Sequence, residues 1–202
     1  IGAVVHIWPH LKCKIYATPF TAALIIEKFK EKKIDISSYL QVVPLNSKIK
    51  LEHFEIDFVT LTHSILEPNG LSITNPLGTI LHTGVWKIEP NPLSGSQIDE
   101  KKLKSIGNSG VSVMICDSTN IFSPGRAGSE SEVRDSLLRI MELKTKRILV
   151  TAFASNVARM ESLGDLCREF IKQQKNVVIS KELLNLLSLK MRKKYQKIKS
   201  YI

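Results

Sequence analysis

Apolar and polar positions along this chain switch between two rhythms, one of period two and one of period three to four, and the switches lay out the elements. Lys14-Ile15-Tyr16-Ala17 reads as a short strand. Thr18 and Pro19 then open a predicted helix from about Phe20 to Lys32, with Thr18 as N-cap and Pro19 at the first helical position. Leu24, Ile25, Phe29 and Ile34 give that helix its apolar face. Val42-Val43-Pro44-Leu45 is a predicted strand, and Lys48–Leu51 and Phe54–Val59 alternate as strands do. Gly70–Thr74 and Gly78–His82 flank the turn residues Asn75-Pro76-Leu77 and form a predicted hairpin. Val111–Cys116 is β-rich and is expected to fill a central strand.

The Gly-, Ser- and Pro-rich stretch Phe122–Gly128 marks a domain boundary. Ser129-Glu130-Ser131-Glu132 is an acidic helix start, with carboxylates placed favourably near the helix N-terminus, and the helix is expected to run to about Leu143. Arg147–Ala152 then reads as a strand, Asn156–Gln173 as a helix and Asn176–Ser180 as a second strand. Such a β-α-β unit implies a parallel sheet. Leu183–Leu189 is apolar, and the sequence beyond it is rich in lysine.

With 202 residues, 43% of them hydrophobic, the chain can bury one sizeable core or one domain plus part of another. No apolar run approaches the ~18 residues of a membrane span, so no membrane is expected as partner. The apolar start is broken by His6, Pro9 and His10 and has no basic leader, so it is not read as a secretory signal. The chain opens at Ile1 rather than Met, and Ile1–Val5 reads as the middle of a folded segment. Cys13, Cys116 and Cys167 lie far apart, with no C-x-x-C pair, and are read as isolated buried thiols of a reducing cytoplasm. The net charge of +10 is uneven, since nine Lys/Arg and one Glu from Lys172 onward carry +8 of it. A basic stretch of this kind either binds nucleic acid or is simply a solvated tail.

Four short segments bring candidate chemistry to the ends of strands, where open α/β sheets place their sites. They are Thr60–Ser64, with His63; His82–Lys87; Cys116–Asn120, with Asp117; and Ala152–Asn156. Neutral imidazole is a common zinc ligand, but one histidine after a strand is more often structural. His6 and His10 are four apart, yet Pro9 between them disfavours a continuous helix, and His53 sits in a predicted turn.

The order and spacing of several unrelated motifs give the chain a family resemblance. IYATPFTAAL from Ile15, THSI from Thr62, LHTG-W-K from Leu81, CDSTN from Cys116 and TAFASNVARM from Thr151 are similar to ribonuclease J, to about Ile179. That family joins a metallo-β-lactamase fold to a β-CASP domain. The resemblance therefore implies an α/β fold with two parts. A partial metallo-β-lactamase αββα sandwich would occupy residues 1–122. Part of a β-CASP domain with a parallel sheet would occupy 123–189, and a basic tail 190–202. It implies cytoplasmic RNA processing and decay, with RNA as substrate, homo-oligomers and two zinc ions that activate a water against a phosphodiester. His63 matches a metal ligand. Asp117 matches the acidic β-CASP motif beside the metals. Phe153, Ser155 and Asn156, together with Ser64, match an RNA-binding cleft.

The chain also departs from the family pattern. The H-x-H-x-D-H ligand cluster, which in the family lies immediately before the match to Ile1-Gly2-Ala3, has no counterpart in the sequence. Val85 stands where the family carries a metal-bridging aspartate, and an isopropyl group ligates nothing. The family's later histidine motifs fall beyond the matched region, so His63 alone corresponds to a metal ligand. A catalytic zinc needs about three protein ligands. The expectation is a truncated or degenerate ribonuclease, inactive alone and holding no zinc by itself. The alternative is a non-catalytic RNA-binding or split-protein subunit that pairs with another chain. A lactonase or thioesterase of the same fold is disfavoured by the CDSTN and FASN motifs.

Overall fold

A computed structural model of the chain describes residues 1–146, 148–153 and 155–173. It is a mixed α/β structure that divides into two compact units. The first unit comprises Ile1–Thr60, Asn69–Gly84 and Asp99–Cys116. The second comprises Leu61–Pro68, Val85–Ile98 and the residues from Asp117 on.

The first unit opens with a helix, α1 (Val4–Leu11), that the sequence pattern did not predict. Pro9 lies inside it. In so short a helix the proline ring deletes one i→i−4 hydrogen bond, to Val5, and the last turn still closes through Lys12 N donating to Trp8 O at 2.8 Å. Lys12 then adopts a left-handed conformation and ends the helix. Strand β1 (Ile15–Ala17) leads into α2 (Pro19–Glu31), as expected, and β2 (Leu40–Val42) returns parallel to β1 with Ile15 opposite Leu40. The strand expected at Val42–Leu45 is thus displaced towards the N-terminus: Val43 N closes the pairing on Ala17 O, and Pro44, without an N–H, stays outside. Thr18 holds the N-cap position, but its hydroxyl meets Thr21 Oγ1 at 3.4 Å rather than a backbone N–H.

Trp8, Ala17, Ala22, Ile25, Phe29 and Ile36 form the core of this part. Trp8 packs edge-on against both Phe29 (5.6 Å between ring centroids) and Tyr39 (5.0 Å), and its indole N–H reaches Cys13 O at 2.9 Å. Leu24, expected on the buried face of α2, is only half-buried.

A five-stranded sheet makes up the rest of the unit, in the order β3 (Lys48–Leu51), β4 (Phe54–Thr60), β5 (Asn69–Asn75), β6 (Gly78–His82), β7 (Val113–Ile115). The first four are antiparallel and β7 is parallel to β6. The expected hairpin is present: Asn75 faces Gly78, and Asn75 Oδ1 accepts from Leu77 N and Gly78 N, an Asx turn. Gly78, at φ 147°, takes a conformation that a side chain would strain. A helix missed in the sequence, α3 (Glu100–Ser109), connects β6 to β7. It is capped by Asp99, whose carboxylate accepts from Lys102 N at 3.0 Å, and Lys102 Nζ reaches Asp57 at 3.1 Å. The pattern around Val111–Cys116 suggested a central strand. Among the described residues β7 is instead an edge, with Val113, Met114 and Ile115 exposed.

In the second unit, Ser129 caps α4 (Glu130–Glu142) through a full capping box with Glu132. Helix α5 (Val157–Lys172) packs on α4 and buries Val157, Met160, Leu163, Leu166 and Phe170. Residues 148–152 form no strand. A β-run is held only by a ladder, and none reaches them among the described residues. The strand expected at Asn176–Ser180, the parallel sheet it implies and the basic segment 190–202 lie outside the described residues. The cysteines are not buried thiols: Cys13 and Cys116 are exposed and Cys167 is half-buried.

Phe29→Ala removes a ring with no exposed surface and is expected to cost about 3–5 kcal/mol. Leu77→Ala, at the open hairpin tip, should stay within about 0.5 kcal/mol. The two urea midpoints compared with that of the parent check the contrast.

Candidate functional site

His63 follows β4 by three residues and is fixed by its neighbour Thr62. Thr62 pairs with Lys87 as an isolated antiparallel bridge, with Lys87 N donating to Thr62 O at 2.8 Å. The buried Thr62 hydroxyl donates to Lys87 O and accepts from Glu89 N at 3.0 Å. The segment after Gly84 is thereby laced to the histidine. Lys87 Nζ then reaches Glu89 Oε2 at 3.0 Å and Gly128 O at 2.6 Å, which secures the chain just before the Ser129 cap of α4.

These elements border a cleft of about 440 Å³. His63, Ser64, Phe153, Ser155 and Asn156, five of the residues singled out in the sequence, all line it. Asn156 Oδ1 accepts from Arg159 N at 2.9 Å and so caps α5. Phe153 is 85% exposed. Asp117 does not line the cleft. Its carboxylate accepts from Thr119 N at 3.1 Å, and its carbonyl takes the Trp86 indole N–H at 3.4 Å. Asp117 still acts on His63 through its charge. Val85, which follows His82-Thr83-Gly84, is 60% exposed. His82 Nδ1 accepts from Gly84 N at 3.0 Å.

Four charged lining residues, Lys87, Glu89, Glu130 and Arg159, were not among the sequence candidates. Lys87 and Arg159 lie inside the quoted motifs, and Glu130 inside a recognised helix start, so the residues were visible but their convergence was not. Arg159 grips Glu130 with two bonds, of 2.6 and 3.2 Å, and Ser162 adds a third at 3.3 Å. Both cations of the cleft thus face a carboxylate, and their charge is balanced locally.

Burial holds the His63 pKa below the ordinary imidazole value. Asp117 pulls it back up and Lys87 pushes it further down. Ser64 Oγ lies 3.0 Å from His63 Nδ1. Among the described residues no three His, Cys, Asp or Glu side chains come together in a way that could hold a metal ion. A catalytic zinc, with its three or so protein ligands, does not fit the described residues. No helix among them is long and apolar enough to cross a membrane.

No family model matches the chain. It is similar to curated proteins named ribonuclease J. The one from Sinorhizobium meliloti is 37% identical over 164 residues, which is 81% of this chain and 29% of that protein. The one from Synechocystis is 33% identical over 86% of this chain and 27% of that protein. The one from Corynebacterium glutamicum is 36% identical over 75% and 21%. The chain thus spans less than a third of the length of these relatives. A crystal structure of a protein of unknown function from Enterococcus faecalis shares the fold, with a TM-score of 0.59 at 17% identity, over 87% of this chain and 43% of that one.

His63 is expected to titrate below about pH 6.5 in an NMR titration of its ring protons. Lys87→Met should raise its midpoint and Asp117→Asn should lower it further. The folded chain resists protonating His63, so its contribution to stability is complete above about pH 6.5 and declines as pH falls through the depressed folded value. A His63→Gln variant should lose that part of the acid-side decline.

Proposed function

Because this chain is a homologue of ribonuclease J, we propose that it carries part of an RNA phosphodiester hydrolase site: it holds RNA in the His63–Phe153 cleft but does not cleave it alone. On this reading residues 1–122 are a partial metallo-β-lactamase domain, 123–189 part of a β-CASP domain and 190–202 a basic tail. His63 occupies a metal-ligand position and Asp117 the position of an acidic catalytic group. Ser64, Phe153, Ser155 and Asn156 face the RNA.

One observation carries the inactivity: His63 has no company of ligands among the described residues, and Val85 stands where a bridging carboxylate would be needed. The two zinc ions that the family resemblance implies therefore require groups other than those described. What supports RNA binding is the character of the cleft. An open aromatic ring suits base stacking, and the hydroxyls of Ser64 and Ser155 suit phosphate oxygens. Lys87 and Arg159 are held by carboxylates, so affinity in the cleft has to come from stacking and hydrogen bonds more than from its cations.

The basic stretch also favours a second reading, in which the chain is a non-catalytic RNA-binding subunit that works with another polypeptide. Deleting residues 190–202 separates the two: the subunit reading requires affinity and its salt dependence to drop together, whereas cleft binding alone leaves both in place.

The purified chain, given single-stranded RNA with Zn²⁺ or Mn²⁺, should show no turnover. Chelator-sensitive cleavage that is lost in His63→Ala would overturn the proposal. Phe153→Ala should weaken RNA binding by about 1–3 kcal/mol, measured by fluorescence anisotropy at fixed salt.

A further inference from the structure

We propose that His6 and His10, on the outer face of α1, form a two-imidazole site for a borderline divalent transition-metal ion such as Ni²⁺ or Zn²⁺. The pair belongs to the first unit and His63 to the second, and the site is independent of whether the chain binds or cuts RNA.

The sequence pattern counted against this pair, because Pro9 stands between the two histidines. The structure removes that objection, since α1 runs from Val4 to Leu11 through Pro9. Residues four apart on a helix are neighbours on one face, with Cβ atoms about 5–6 Å apart. Two imidazoles at that spacing can close on one metal ion, as they do in helical zinc motifs. Val5 and Trp8 are the buried residues of α1, and His6 and His10 are exposed on the face turned away from them. Among the described residues neither imidazole takes part in a hydrogen bond or an ion pair, so the ring nitrogens are left to a ligand.

The scaffold under the pair is held by tertiary packing. An isolated helix of eight residues would fray. Here Trp8, between the two histidines, packs edge-on against Phe29 and Tyr39, and its indole N–H donates to Cys13 O at 2.9 Å. Ile7 N donates to Ala3 O at 3.1 Å and Lys12 N to Trp8 O at 2.8 Å, one bond closing the turn around His6 and the other the turn around His10. The ring of Pro9 fixes its own φ and stiffens the stretch between them. Folding therefore meets most of the cost of ordering the backbone that carries both donors.

The donor set selects the kind of ion. Imidazole nitrogen suits nickel, copper and zinc, whereas calcium and magnesium take oxygen ligands. Among the described residues no third His, Cys, Asp or Glu comes together with the pair. Cys13 is exposed three residues after His10, but it follows the left-handed turn at Lys12 that ends the helix. The remaining coordination positions fall to water. Such a site differs from a structural zinc centre, which is closed by about four protein ligands.

The test titrates the full 202-residue chain, free of any affinity tag and stripped with chelator, with Ni²⁺ alone by calorimetry. One ion per chain is expected. His6→Ala and His10→Ala should each abolish binding, while His53→Ala, in an exposed turn, binds as the parent does. Alanine favours an exposed helical position, so both variants should keep the parent's circular dichroism. The double variant His10→Ala/Leu11→His keeps two histidines but sets them about 140° apart around the helix, and it should not bind. In NMR spectra, substoichiometric paramagnetic Ni²⁺ should broaden the ring protons of His6 and His10 before those of His63. Parent affinity in either single variant overturns the proposal, as does parent affinity in the double variant. Broadening that reaches His63 first overturns it in favour of the cleft. One ion per two chains overturns it in favour of a bridge between copies.

Discussion

The Thr62 hydroxyl is the contact on which the candidate site depends. It is buried, it donates to Lys87 O and it accepts from Glu89 N, so both of its capacities are used. A buried hydroxyl with both partners in place is worth far more than one left open, because losing either partner strands a polar group away from water. Everything near the histidine follows from that lacing. It sets Lys87 beside His63, and Lys87 then reaches across Glu89 to the Gly128 carbonyl. Gly128 in turn precedes the capping box that starts α4. The cleft is a consequence of one threonine holding two chain segments in register.

The charges of the cleft are arranged for order more than for attraction. Lys87 with Glu89, and Arg159 with Glu130, each put a cation and an anion at contact distance in partly buried surroundings. Such pairs specify geometry, and removing one partner leaves the other uncompensated. A site meant to concentrate phosphate by field alone would leave its cations open. Besides those pairs, the cleft is lined by serine hydroxyls and by one imidazole whose pKa burial lowers. The exposed Phe153 ring lines the same cleft.

Local signals were legible where a short stretch decides its own conformation. The Asn75–Gly78 turn, the Ser129 cap with Glu132 and the helix after Pro19 depend on residues within four positions of one another. The failures share the opposite trait. Pro9 argued against a helix, yet a proline in the last turns of an eight-residue helix removes one bond only. The runs at Val111–Cys116 and Arg147–Ala152 had the composition of interior strands, but a strand's place is fixed by partners distant in sequence. The motifs singled out His63, Ser64, Phe153, Ser155 and Asn156, and the structure brings all five to one cleft. Lys87, Glu89, Glu130 and Arg159 escaped because the bonds that gather them span 27 to 41 positions, which no local pattern encodes.

His63 shows that the placement of a residue and its chemistry are set by different contacts. Its position comes from backbone pairing through Thr62, which is indifferent to whether a metal is present. Its neighbours are a serine hydroxyl at Nδ1, a lysine that disfavours added positive charge, and an aspartate that favours it without joining it in a ligand set. A dication needs anionic or neutral donors converging from several sides, and among the described residues no three such side chains converge. The scaffold that aims the imidazole and the ligand set that would make it catalytic are thus separate features of the sequence. The described residues carry the first, and no three of their His, Cys, Asp or Glu side chains assemble the second.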